Sequence, residues 1–114
     1  MAINVNAILR YCRVSPQKAR LVVDAVRGKS AVEAMNALRF IQKKPAYHVR
    51  KLVGSAIANA EENFGLNRED LVISRIVVDE APMRKWRRFG ARGRFKPVLR
   101  RSSHISVVLT EKEK

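Results

Sequence analysis

The first residues alternate. Ile3, Val5, Ala7 and Leu9 occupy every second position, the pattern of a half-buried strand. At Ser15-Pro16 the period changes. A hydroxyl residue followed by proline is a helix start: the side chain can cap a free N–H, and the N–H that proline lacks has no intrahelical partner there. Ala19, Val22, Val23 and Val26 then recur at helical spacing, and Gly28 supplies the stop. Lys18 and Arg20 fall on the opposite face, with Arg27 and Lys29 near the end. Ser30-Ala31-Val32-Glu33 is a capping-box pattern that opens a second helix with the stripe Ala31, Ala34, Met35, Leu38 and Ile41. Lys43-Lys44-Pro45 divides it from a third, longest helix over about residues 46–63. Its stripe is Val49, Leu52, Val53, Ala56, Ile57 and Ala60, with Gly65 just beyond.

Residues Leu71 to Val78 are rich in β-branched side chains but alternate poorly, which predicts a central strand with both faces partly covered. In His104–Thr110, Ile105, Val107 and Leu109 share one face of a last strand, and Glu111–Lys114 reads as a frayed tail. The order is β-α-α-α-β, a charged segment, then β. That is an α+β fold, with three helices packed on a small antiparallel three-stranded sheet. The 114 residues make one domain, with a body of about 1–82 and 102–114 and the charged segment at 83–101.

Charge changes the picture. The net charge is +14, and it is unevenly spread: +5 over residues 1–30, +2 over 31–78, +7 over 79–101 and zero thereafter. Such an excess repels itself in a compact chain and favours a polyanionic partner, nucleic acid first. From Met83 to Arg101 there are nine Lys and Arg and no acid, arginine outnumbering lysine seven to two. Arginine suits bidentate phosphate contacts and base stacking. Trp86, Phe89 and Phe95 are interleaved as stacking platforms. Like charges and few apolar residues prevent this run from stabilising itself, so its order must come from a partner. Two conformations compete. Gly90 to Gly93 can turn a hairpin whose arms project about 26 Å. Alternatively Met83, Trp86 and Phe89, at period three after Pro82, can start a short basic helix.

Other chemistries find little support. Cys12 is the single cysteine, so no internal disulfide or Cys-based metal site can form; it suits a reducing compartment and a small apolar role. No apolar stretch is long enough to span a membrane, and no signal peptide is visible, which points to cytoplasm or an organelle matrix. His48 and His104 have no Cys or carboxylate at metal-ligand spacing and read as surface or RNA-facing. Adjacent Asp79 and Glu80 face opposite sides of a strand and cannot pair as acid and base. Ser15 and Ser55 lack an activating base. Neither an enzyme nor a cofactor or metal is expected.

Ser15-Pro16-Gln17-Lys18-Ala19-Arg20-Leu21-Val22, Val26-Arg27-Gly28-Lys29 and Ser55-Ala56-Ile57-Ala58-Asn59-Ala60 closely resemble the family of large ribosomal subunit protein number twenty-two. So do Val78-Asp79-Glu80, Gly93-Arg94 and Arg101-Ser102-Ser103-His104-Ile105. The resemblance, of bacterial type, covers almost the whole chain. It implies an α+β body on the outer face of the large subunit and a long β-hairpin lining the nascent-peptide exit tunnel, both bound to large-subunit ribosomal RNA. The family pattern favours the hairpin over the helix.

The residues expected at RNA are Ser15, Lys18, Arg20, Arg27, Lys29, Arg84, Lys85, Arg87, Arg88, Arg92, Arg94, Lys96, Arg100, Arg101 and His104. The expected tunnel-facing tip is Phe89, Gly90, Ala91, Arg92, Gly93 and Arg94. At this tip the chain departs from the family: Phe89-Gly90-Ala91 replaces a Pro-Arg-Ala run, and Phe95 replaces a small residue. Expected partners are ribosomal RNA, neighbouring large-subunit proteins and the nascent peptide, with no membrane and no homo-oligomer. The rival reading is a dissociable RNA chaperone or regulator.

Overall fold

The computed structural model describes residues 3–82, 84–89, 93 and 95–112, with 84–89 and 95–100 described by their backbone. The sequence patterns become elements in the expected order. Strand β1 (Asn4–Cys12) leads into helices α1 (Pro16–Val26), α2 (Ala31–Phe40) and α3 (Lys44–Phe64). A 3₁₀ turn at Arg68–Asp70 precedes β2 (Leu71–Glu80); the ribbon strands β3 (Arg84–Phe89) and β4 (Phe95–Arg100) follow, then β5 (Ser103–Glu111). The caps act as the sequence predicts. Ser15 Oγ accepts the Lys18 N–H and Ser30 Oγ the Glu33 N–H. Gly65, at φ 64°, ends α3 in the left-handed conformation that only glycine adopts cheaply. Helix α3 starts two residues earlier than expected, at Lys44, because proline is accommodated in a first helical turn.

The helices cover one face of an antiparallel sheet of order β1-β5-β2. The stripes Ala19, Val22, Val23, Val26 and Val49, Leu52, Val53, Ala56, Ile57, Ala60 are all buried. They share one core with Ile105, Val107 and Leu109 of β5, which are fully buried. Each such side chain contributes about 1.5–3 kcal/mol by leaving water. Cys12 is also buried, and burial pushes its thiol pKa up. Ile3, expected on the buried side, is 37% exposed, lying one residue before the first β1–β5 pair, Asn4 with Thr110.

One expectation is overturned. The central strand is β5, and Leu71–Val78 lies in β2 at the edge. Its poor alternation has a different cause: Ile73 pairs with Leu109 and Arg75 with Val108, so Ser74 is an extra residue, a β-bulge. Leu71 and Ile73 are buried before the bulge, Ile76 and Val78 after it. The Ser74 hydroxyl donates to the Val108 carbonyl across the irregularity. The outer edge of β2 is partly covered, since Ser30 bridges Val72 and the Ile73 N–H donates to the Lys29 carbonyl.

The charged segment is a hairpin. β3 and β4 pair antiparallel from Arg84 with Arg100 to Phe89 with Phe95, and so form a separate two-stranded ribbon. The radius of gyration, 17.3 Å, exceeds the roughly 13 Å expected of a compact chain this long, as a projecting ribbon requires.

Candidate nucleic-acid interface

The ribbon leaves the body where β2 ends and β5 begins, and there the Ala81 N–H donates to the Ser102 carbonyl. Beside this root, the buried Ser103 hydroxyl donates to the Val14 carbonyl at 2.9 Å. That bond ties the start of β5 to the segment that delivers Ser15 and α1. The register of the ribbon sets Arg84 opposite Arg100 and Arg88 opposite Lys96. Like charges at directly opposed positions destabilise an antiparallel pair. Phe89 closes the register with Phe95, which leaves 90–94 as the connection, and Gly93 there has φ 74°. The remaining expected tip and RNA residues Gly90, Ala91, Arg92 and Arg94 lie outside the described residues, as does Met83.

The four basic candidates of α1 separate into two groups. Lys18 is exposed in the first turn, and Arg20, also exposed, donates from Nη2 to the Val78 carbonyl at 3.1 Å. Both are near the ribbon root, and Arg20 fastens α1 to the end of β2. Arg27 and Lys29 lie at and just beyond the other end of the helix, Arg27 about 10 Å along the axis from Arg20 at 1.5 Å per residue. Arg27 is paired with Asp24 at 3.3 Å, and Lys29 sits beside Ile73. Arg101 is exposed at the root.

His104 is positioned by the body. β1 and β5 go out of register between Leu9–Ile105 and Cys12–Ser103, so Arg10 and Tyr11 together oppose His104. Tyr11 takes a left-handed φ of 56°, and its N–H donates to His104 Nδ1 at 3.0 Å. The two rings meet edge to face, centroids 4.7 Å apart. Nδ1 is therefore occupied by structure, and Nε2 is the ring nitrogen left for another partner.

A further basic surface escaped the reading by segments. Residues 39–51 carry five cations and no acid, but averaging over 31–78 hides them behind the acids of 61–70. Among the described residues, ion pairs join Arg27 to Asp24 and Arg68 to Glu61, and none of these five cations is paired. Lys51 Nζ lies 4.7 Å from the Tyr47 ring centroid and Arg50 Cζ 5.8 Å from it. His48, whose pKa is lowered by burial and then by Lys44 and Lys51, meets the same ring edge-on at 5.4 Å. A shorter charge window would have found this cluster. Among the described residues no three His, Cys, Asp or Glu side chains group as metal ligands.

A small α+β body bearing a cationic ribbon has the charge and shape of a nucleic-acid-binding protein. Residues 7–110 match the family described as ribosomal protein L22p/L17e, and the chain belongs to that family. Over 108 residues it is 47% identical to the large ribosomal subunit protein uL22 of Finegoldia magna, a match covering 95% of this chain and 96% of that one. Membership makes it a structural protein of the large ribosomal subunit and part of the translation machinery.

Proposed function

We propose that the chain binds large-subunit ribosomal RNA through the ribbon arms and the ribbon-root end of α1, and that the ribbon tip lies along the nascent-peptide exit tunnel. The observation that carries the RNA reading is the register of the ribbon. Cations stand opposite cations at Arg84–Arg100 and Arg88–Lys96, an arrangement that phosphates between or around them neutralise. The arms supply affinity, each neutralised phosphate contributing about 0.7–0.9 units to the salt slope of binding. The tip, with Gly90 and Gly93 and two arginines, supplies shape, and its tunnel position follows from the family resemblance. Lys18 and Arg101 extend the phosphate-binding surface onto the body. Arg27 and Lys29 continue the phosphate contact at the far end of α1 and its following turn. Neighbouring large-subunit proteins complete the surroundings.

In this reading the body folds without the ribbon and shares RNA contact with it. Sedimentation tests integral membership: the protein should stay with the large particle through a sucrose gradient at moderate salt, and release would instead indicate a dissociable binder. Division of labour along the ribbon is tested by two variants. Arg87→Ala with Arg100→Ala should weaken incorporation into the subunit. Deleting Gly90–Arg92 should leave incorporation near normal and change the response to a stalling nascent peptide. Loss of assembly on tip deletion, with silent arm substitutions, would refute the division.

A further inference from the structure

Helix α3 exposes cations and an aromatic ring together on its N-terminal half. Lys43, Lys44, Arg50 and Lys51 have no carboxylate within ion-pair distance among the described residues. Between them Tyr47 is 48% exposed, and at the adjoining end of α2 Phe40 is 83% exposed. A solvated helix face needs neither aromatic. Ring hydrophobic area left in water is unfavourable, and the two cations over Tyr47, Lys51 and Arg50, offset only part of it.

We infer that the surface formed by Phe40, Lys43, Lys44, Tyr47, Arg50 and Lys51 is a second RNA contact, one that takes an unstacked base of a loop or bulge on Tyr47 and the flanking phosphates on the lysines. This rests on the ribosomal-RNA reading above and adds to it a site of different character. The ribbon offers a line of charge suited to backbone. Here an exposed ring is flanked by Lys51 at 4.7 Å and Arg50 at 5.8 Å, the juxtaposition of π-face and cations that single-stranded nucleic acid uses. Charge chooses RNA over a protein partner. Five cations without an acid over residues 39–51 fit a polyphosphate, whereas a protein would have to bring a comparably acidic segment.

The experiment uses the full chain and an in vitro transcript of large-subunit ribosomal RNA, with binding measured over a series of potassium chloride concentrations. Circular dichroism and thermal midpoints check that each variant is folded. Lys43→Ala, Lys44→Ala and Lys51→Ala combined should lower the magnitude of the salt slope by about two units. Tyr47→Ala should weaken binding by about 5- to 150-fold, the range set by loss of one base–aromatic stack, with the slope unchanged. Tyr47→Phe should bind like the parent, since the π-face is kept. Arg84→Ala with Arg88→Ala serves as the ribbon control. If the control weakens binding while the triple and Tyr47→Ala variants match the parent in affinity and slope, the second contact is refuted and the ribbon reading survives. If the parent itself shows no salt-dependent binding, both fall. Should the triple variant bind the transcript normally yet be lost from assembled particles, the surface meets a protein, and the inference is wrong.

Discussion

His104 lies where the body and its proposed RNA surface meet, and substitution there separates the two roles. In the structure its Nδ1 accepts the N–H of Tyr11, a residue held at φ 56° by the bulge in β1. A tyrosine in that conformation costs about 1–2 kcal/mol, and the hydrogen bond helps to hold it there. His104→Ala removes an acceptor worth about 0.5–1.5 kcal/mol and an edge-to-face ring contact worth about the same. The expected destabilisation is about 1–3 kcal/mol, or roughly 4–12 °C in thermal midpoint at about 4 °C per kcal/mol for a chain this size. His104→Asn puts an amide oxygen near the place of Nδ1 and should recover about half of the loss. Urea unfolding at pH 7.5, followed by circular dichroism, measures both variants. The Asn variant should also keep its affinity for ribosomal RNA, because the imidazole's first task is to accept from Tyr11. Unchanged stability in His104→Ala, within about 0.5 kcal/mol, would refute the account of the bulge. Stability restored by Asn with RNA affinity still lost would instead place His104 directly on RNA.

Replacing Met83–Arg101 by Asn-Gly should leave a single cooperative unfolding transition, because the core lies in the helices and the β1-β5-β2 sheet; a molten product would make the ribbon part of the core. Gly54→Ala should stabilise the protein by about 0.5–1 kcal/mol: the position is helical, and an added Cβ would meet Met35 Cε at 3.6 Å, an ordinary contact. Lower stability would mean that α2 and α3 cannot make room for a methyl group. Burial, then Lys44 and Lys51, depress the His48 pKa below its ordinary 6.5, so the folded state favours the neutral ring. The unfolded chain therefore takes up the proton first, and the stability His48 contributes above pH 6.5 is lost as pH falls through its lower folded value. Thermal midpoints between pH 7.5 and 5.5 should fall more for the parent than for His48→Gln; equal slopes would contradict the shift.

The helices were legible in the sequence because their determinants are local. Ser15, Pro16 and the stripe Ala19, Val22, Val23, Val26 fix α1 within a dozen residues, since backbone bonds close over four residues and capping over three. The hairpin was legible only once family resemblance joined the pattern; periodicity alone left a basic helix open. The basic character of the ribbon could be read from composition, but the pairing of Arg84 with Arg100 needed its register. Tertiary structure decided what depends on distant partners. Leu71–Val78 reads as an irregular central strand, and only pairing with β5 shows an edge strand carrying one extra residue at Ser74. Tyr11 and His104 are 93 residues apart in the chain, so neither the left-handed tyrosine nor its acceptor has a sequence signal. The division of Lys18 and Arg20 from Arg27 and Lys29 required knowing at which end of the sheet the ribbon leaves. A strand's hydrogen bonds leave its own segment for a neighbour, and the choice of neighbour is made by the burial of the whole chain.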